Sequence, residues 1–156
     1  MAIVYLGIGS NIGDKEKNCA EALRLLAEID GAEIAKRSEF YLTKPVGGPR
    51  QEDYLNGVVE VKTNILPERL LIRLKDIERK MGRDLDESRD RPRVIDLDIL
   101  TYGDSVFKSE KLTIPHLRMH ERYFVLRGFN EIAPDVIHPT QKKSIKDLYG
   151  SCDKSE

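Results

Sequence analysis

With 156 residues, 34% of them charged and 40% hydrophobic, the chain has the balance of a globular protein with one core and a heavily charged surface, which argues against a disordered or membrane-embedded protein. A net charge of -1 argues against a general affinity for nucleic acid or anionic lipid, so any anion site must be local. The only cysteines, Cys19 and Cys152, suggest neither a disulfide framework nor a thiolate metal site; with no cleavable leader and no apolar window of membrane length, they are expected as free thiols in the cytoplasm.

Ile3 to Gly9 reads as a strand, followed by a turn to Asp14, which caps a helix from about Lys15 to Ile29 carrying Cys19, Leu23 and Leu26 on one face. Glu33 to Tyr41 and Leu55 to Thr63 read as two strands joined by the Pro/Gly-rich stretch Thr43 to Asp53. Pro67 opens a helix in which Leu70, Leu71, Leu74, Ile77 and Met81 recur at helical spacing, and Gly82 closes it. A charged loop, Arg83 to Arg93, leads into a strand from Val94 to Tyr102. The order βαββαβ predicts an α+β, ferredoxin-like core in a single domain spanning residues 1–156. C-terminal additions follow: a strand or loop near Leu112 to Pro115, a short helix from about Glu121 to Ile132 stopped before Pro134, and a polar tail after Pro139.

The most informative segment is Arg91-Pro92-Arg93-Val94-Ile95-Asp96-Leu97-Asp98-Ile99. On a strand, Ile95, Leu97 and Ile99 face one way while Asp96 and Asp98 face the other, about 7 Å apart at their Cα atoms. Such a pair suits one or two hard cations, since Mg²⁺ takes one or two protein carboxylates plus water and phosphate oxygens. The plainer alternative, an amphipathic strand with two solvated aspartates, is disfavoured because like charges on one strand face destabilise it. Arg83, Arg89, Arg91 and Arg93 lie just before this strand, and His116, Arg118, His120 and Arg122 beyond it. Guanidinium forks match phosphate oxygens, so carboxylates and arginines together point to phosphoryl transfer, although Asp84, Asp86, Glu87 and Asp90 nearly balance the loop.

Gly7 to Gly13 fits neither phosphate-loop fingerprint and reads as a plain tight turn. His116, His120 and His138 lack zinc spacing and read as polar contacts, with His116 set apart because it follows Pro115 in the arginine-rich region. Taken singly, Tyr54 and Phe124 are core aromatics and Asn56 an ordinary strand residue.

Gly9-Ser10-Asn11 after the first strand, Tyr54-Leu55-Asn56 opening another, Arg91-Pro92-Arg93 before Ile95-Asp96-Leu97-Asp98-Ile99, and Ile114-Pro115-His116 followed by Arg122 and Phe124 occur in that order. Jointly they resemble the 6-hydroxymethyl-7,8-dihydropterin pyrophosphokinase family. The resemblance implies a monomer acting on ATP and 6-hydroxymethyl-7,8-dihydropterin, with two Mg²⁺ ions on Asp96 and Asp98 and no nucleic-acid or membrane partner. It implies a pterin stacked between Tyr54 and Phe124 and met at its edge by Asn56, Thr43 and Val46. The implied phosphate contacts are Arg83, Arg93, Lys111, His116 and Arg122, with Arg83, Arg93, Asp96 and Asp98 the catalytic set; the implied adenine pocket is Leu71, Ile99, Leu112 and Thr113. The sequence departs from the family at Asp90, where a lid Trp is usual, at Arg91, where Gly is usual, and at Leu117, where Tyr is common. Asp90 is therefore expected to face solvent while Arg89 or Arg91 closes the lid. The readings left beside this one are another two-metal nucleotide enzyme and a ligand-binding regulatory module.

Overall fold

In the computed structural model, which describes residues 1–44, 53–82 and 94–152, an antiparallel sheet is built around β1 (Ala2–Ser10). Its apolar alternation makes it a central strand. It pairs on one side with β4 (Tyr54–Thr63) and on the other with β5 (Asp96–Tyr102); β2 (Ala32–Arg37) and the short β3 (Tyr41–Thr43) both pair with β4, giving the order β2-β4-β1-β5. The single strand expected over Glu33 to Tyr41 is thus two strands. Ser38 divides them: its buried hydroxyl accepts from Val58 N at 2.9 Å and donates to Glu39 O at 2.7 Å, which turns the chain between them.

Each face of the sheet has its own helical layer. Val4, Leu6, Ile8, Val59, Val61, Leu97 and Ile99 meet α1 (Lys15–Ala27) and α2 (Pro67–Lys80). Asp14 caps α1 by accepting from Lys17 N at 3.1 Å, and Leu70, Leu74 and Ile77 bury the stripe of α2. Each such burial contributes roughly 1.5–3 kcal/mol. Gly82 takes a φ of 90° just beyond α2, which explains a glycine there.

Tyr5, Val58 and Leu100 point to the opposite face and pack under α3 (Tyr123–Ile132), a 3-10 turn at Met119–Glu121 and α4 (Ile145–Ser151). The helix expected from Glu121 is therefore a 3-10 turn followed by α3, because Arg122 is extended, with ψ of 105°. The expected polar tail holds a capped helix: Ser144 accepts from Asp147 N, and Ile145 and Leu148 are buried against α3. A two-stranded hairpin of β6 (Phe107–Lys108) and β7 (Thr113–Ile114) closes the edge near β5. Among the described residues no helix is long and apolar enough to cross a membrane.

Candidate active site

Among the described residues, the half-buried Tyr54, Asn56, Asp96 and Asp98 lie near one end of β1. The register aligns Tyr41, Asn56, Gly9 and Asp96 in one row across four strands, and Val58, Gly7 and Asp98 in the next. Directly paired residues share a face, and strands lie about 4.8 Å apart, so Asn56 and Asp96 stand roughly 10 Å apart on either side of Gly9. A Cβ on Gly9 would come within 2.8 Å of Asn56 Oδ1 and 3.4 Å of Tyr54 Cδ1. Gly9 is buried beneath those two side chains, with an amide-and-aromatic end on one side of it and a carboxylate end on the other.

The carboxylate end agrees with the alternation read from the sequence. Ile95, Leu97 and Ile99 are buried, while Asp96 and Asp98 are half-buried on the opposite face. The strand is fixed from behind by a residue the sequence reading missed. Glu78, fully buried on α2, accepts from Leu97 N at 2.8 Å, and Lys75 Nζ lies 3.4 Å from its other oxygen. A buried carboxylate is tolerated when it is hydrogen-bonded and paired, and here it grips the main chain between the two aspartates. A charged residue on the core side of an otherwise apolar helical stripe was the available signal.

At the amide end, Asn56 Nδ2 donates to Thr43 Oγ1 at 2.6 Å, and Thr43 lies opposite Tyr54 in the β3–β4 register. Lys15 Nζ donates to Asp53 O at 3.0 Å, tying the start of α1 to the residue before Tyr54. Tyr54 and Phe124 are half-buried and belong to neither hydrophobic cluster, so the core role each has when taken singly does not hold. Phe124 lies in the first turn of α3, next to Arg122.

His116 is brought to β5 by its backbone, His116 N donating to Leu100 O at 2.8 Å after a cis Ile114–Pro115 bond. Leu71, Ile99 and Leu112 gather in one cluster, with Ile99 and Leu112 buried on the side away from the aspartates. Thr113 is half-buried in β7, and Lys111 is exposed just before it. Val46, Arg83, Arg89, Asp90, Arg91 and Arg93 lie outside the described residues, and with them the expected lid.

The extent of β1 also corrects the reading of Gly7 to Gly13 as a tight turn. β1 runs through Ser10, so Gly7 and Gly9 are strand residues on the face that carries Asp96 and Asp98, and the turn is confined to the residues after Asn11. Their period-two spacing, continuing Ile3 and Tyr5, was the signal. Behind them Ser10 and Asn11 are fully buried, with Asn18 Nδ2 donating to Ser10 Oγ at 3.2 Å and to Ile12 O at 3.0 Å.

The donor chemistry fits a hard cation. Asp96 and Asp98 offer oxygen only, and no group of three or more His, Cys, Asp or Glu able to hold a metal occurs among the described residues. A cation held here draws the rest of its shell from water and phosphate oxygens, which is how Mg²⁺ binds. Cys19 is an unsuitable ligand, since burial pushes its thiol up to about 12.

An antiparallel sheet with helices on both faces, carrying a carboxylate pair on β5 and an amide and an aromatic on β4, is a small α+β domain. The chain belongs to the 7,8-dihydro-6-hydroxymethylpterin-pyrophosphokinase family, whose profile matches residues 5–134. It is 40% identical over 148 residues to the 2-amino-4-hydroxy-6-hydroxymethyldihydropteridine pyrophosphokinase of Aquifex aeolicus, covering 95% of this chain and 91% of that protein. It is 44% identical over 137 residues to the folic acid synthesis protein fol1 of Schizosaccharomyces pombe, covering 88% of this chain but only 19% of that longer relative. Among solved structures, the wild-type Plasmodium falciparum HPPK-DHPS with pteroate superposes with a TM-score of 0.77 at 18% identity, over 96% of this chain and 42% of that one, a likeness of fold.

Proposed function

We propose that the protein transfers the terminal diphosphate of ATP to 6-hydroxymethyl-7,8-dihydropterin, giving AMP and the pterin diphosphate in folate biosynthesis. The observation that supports this reading is the row Asn56, Gly9, Asp96, in which an amide beside Tyr54 is aligned across the sheet with the strand that carries the carboxylate pair. The pterin ring stacks between Tyr54 and Phe124. Asn56, oriented by its bond to Thr43, takes the ring edge, with Val46 beside them. The hydroxymethyl oxygen attacks the β-phosphorus in line, the new O–P bond forming as the bridge to the α-phosphate breaks and AMP leaves. Asp96 receives the hydroxyl proton, while Arg83, Arg93, Lys111, His116 and Arg122 bind and orient the phosphates. Two Mg²⁺ ions held by Asp96 and Asp98 supply Lewis-acid stabilisation of the phosphate charge. Leu71, Thr113 and the main chain around Ile99 and Leu112 take the adenine.

We assign the fold to the ferredoxin-like class, which the strand order β2-β4-β1-β5 with its two helical crossovers supports, and the 156 residues to one domain. We assign the protein as a monomer, and its two free thiols accord with the cytoplasm. The test is phosphorus NMR of protein, MgATP and the pterin. AMP and a pterin diphosphate are expected, formed only when the pterin is present. ADP as product, or AMP formed equally without pterin, overturns the proposal.

A further inference from the structure

The proposed pterin slot has one wall that lies outside the sequence motifs. β3 is only three residues long, yet it carries Tyr41 opposite Asn56 and Thr43 opposite Tyr54. It is held by α3. The Arg127 guanidinium lies 3.6 Å over the centre of the Tyr41 ring, and the Tyr41 hydroxyl donates to Glu131 Oε1. Glu131 Oε2 accepts from Glu39 N at 2.9 Å, so one carboxylate ties down both the strand and the residue leading into it. The bond to Glu131 also pushes the Tyr41 hydroxyl above the usual phenol range, keeping it a donor at every physiological pH.

Phe124, Arg127 and Glu131 recur at helical spacing, so the helix that presents the stacking aromatic also grips β3. α3 is itself seated without slack. Leu126 and Phe129 are fully buried, and a Cβ on Gly128 would come within 3.0 Å of both Ser38 Oγ and Val58 Cγ2. The width of the slot is therefore set by one rigid body, with Phe124 on the helix and Thr43 and Asn56 on the strands it clamps.

We infer that Arg127 and Glu131 are positioning residues for the pterin, acting through Tyr41 and β3 rather than by touching substrate, an inference that rests on the proposed function. Among the described residues, Tyr41, Arg127 and Glu131 contact one another and Glu39 and make no hydrogen bond to Asp96 or Asp98, so the clamp governs pterin affinity and leaves ATP affinity alone. The aromatic hydrogen-bonding wall it holds selects a flat, edge-polar heterocycle.

The test uses the full chain and the variants Arg127→Met, Arg127→Lys, Glu131→Gln and Tyr41→Phe. KM is measured for each substrate, with thermal melting and with pterin titration by its own fluorescence in the presence of a non-hydrolysable ATP analogue; the absence of Trp leaves that window clear. Arg127→Met is expected to raise the KM and Kd for pterin about three- to tenfold, the scale of one cation–π contact, with the KM for ATP within about twofold of wild type. Arg127→Lys, which keeps a cation over the ring, restores at least half of the loss. Tyr41→Phe and Glu131→Gln shift the pterin constants in the same direction. Equal rises in both KM values, or a loss that tracks melting temperature across the four variants, overturns the clamp. Wild-type turnover with unchanged pterin constants in Arg127→Met also overturns it. A wild type that neither binds nor converts the pterin refutes the proposed function itself.

Discussion

Replacing Glu78 with Ala tests how β5 is held in place. The change removes a carboxylate that accepts from Leu97 N at 2.8 Å at a fully buried position and leaves that amide without this acceptor. A hydrogen bond to a charged group contributes about 1.5–3 kcal/mol, and an orphaned buried donor costs about 1–3 kcal/mol, overlapping quantities that together set a loss near 3 kcal/mol. For a domain of this size that lowers the melting temperature by roughly 6–12 °C. Glu78→Gln keeps a carbonyl acceptor and should lose about 1 kcal/mol. Because Leu97 sits between Asp96 and Asp98, the Ala variant should also lose turnover at low temperature, where it is still folded, by tenfold to about a hundredfold, the scale of a small misplacement of reacting groups. Urea unfolding gives the first quantity and AMP formation at about 15 °C the second, a temperature chosen to keep the variant well below its melting range. An Ala variant that melts within about a degree of wild type and turns over equally would refute this account of the strand.

Gly9→Ala should raise the KM for pterin with little change for ATP, because its Cβ meets Asn56 Oδ1 at 2.8 Å and displaces the amide from Thr43; unchanged pterin kinetics would show that Asn56 has room to give. Protonation of His138 should weaken the fold in acid: burial, and secondarily His120, lowers its pKa from 6.5 to about 4, so the unfolded chain takes up a proton that the native state resists. Stability present above about pH 6.5 is then lost progressively toward about pH 4, by at most ~3.5 kcal/mol at about 1.4 kcal/mol per unit. His138→Asn, which offers an acceptor where Nδ1 now accepts from Gln141 N at 3.1 Å, should flatten that slope in urea titrations at about pH 7 and about pH 5, and equal slopes would contradict it.

Periodicity made the helices legible. The stripe Leu70, Leu74 and Ile77 needs only one apolar face, and Asp14 and Gly82 mark ends whose backbone geometry demands such residues. The facing of Asp96 and Asp98 was legible for the same reason, because a strand has period two. What linked these residues to Asn56 was not. The row through Gly9 depends on strand register, a long-range property, and glycines on a strand look like a turn until their neighbours across the sheet are known. Glu78 looked like one more charge on a charged helix, since its burial is decided by β5 rather than by α2. α4 was hidden by its polar neighbours: of that helix Ile145 and Leu148 are buried, with Tyr149 packed beside them, too few to stand out as a pattern.

In the proposed reaction Asp96 and Asp98 hold the magnesium that neutralises the transferred diphosphate. The most direct measurement is single-turnover AMP formation by Asp96→Asn and Asp98→Asn beside wild type, at saturating magnesium, ATP and pterin, with melting curves on the same samples. An amide ligates Mg²⁺ poorly and cannot offset phosphate charge, so each variant should melt close to wild type and lose turnover at least ~100-fold. Wild-type rates in both variants, or unfolding in place of inactivity, would contradict the assignment.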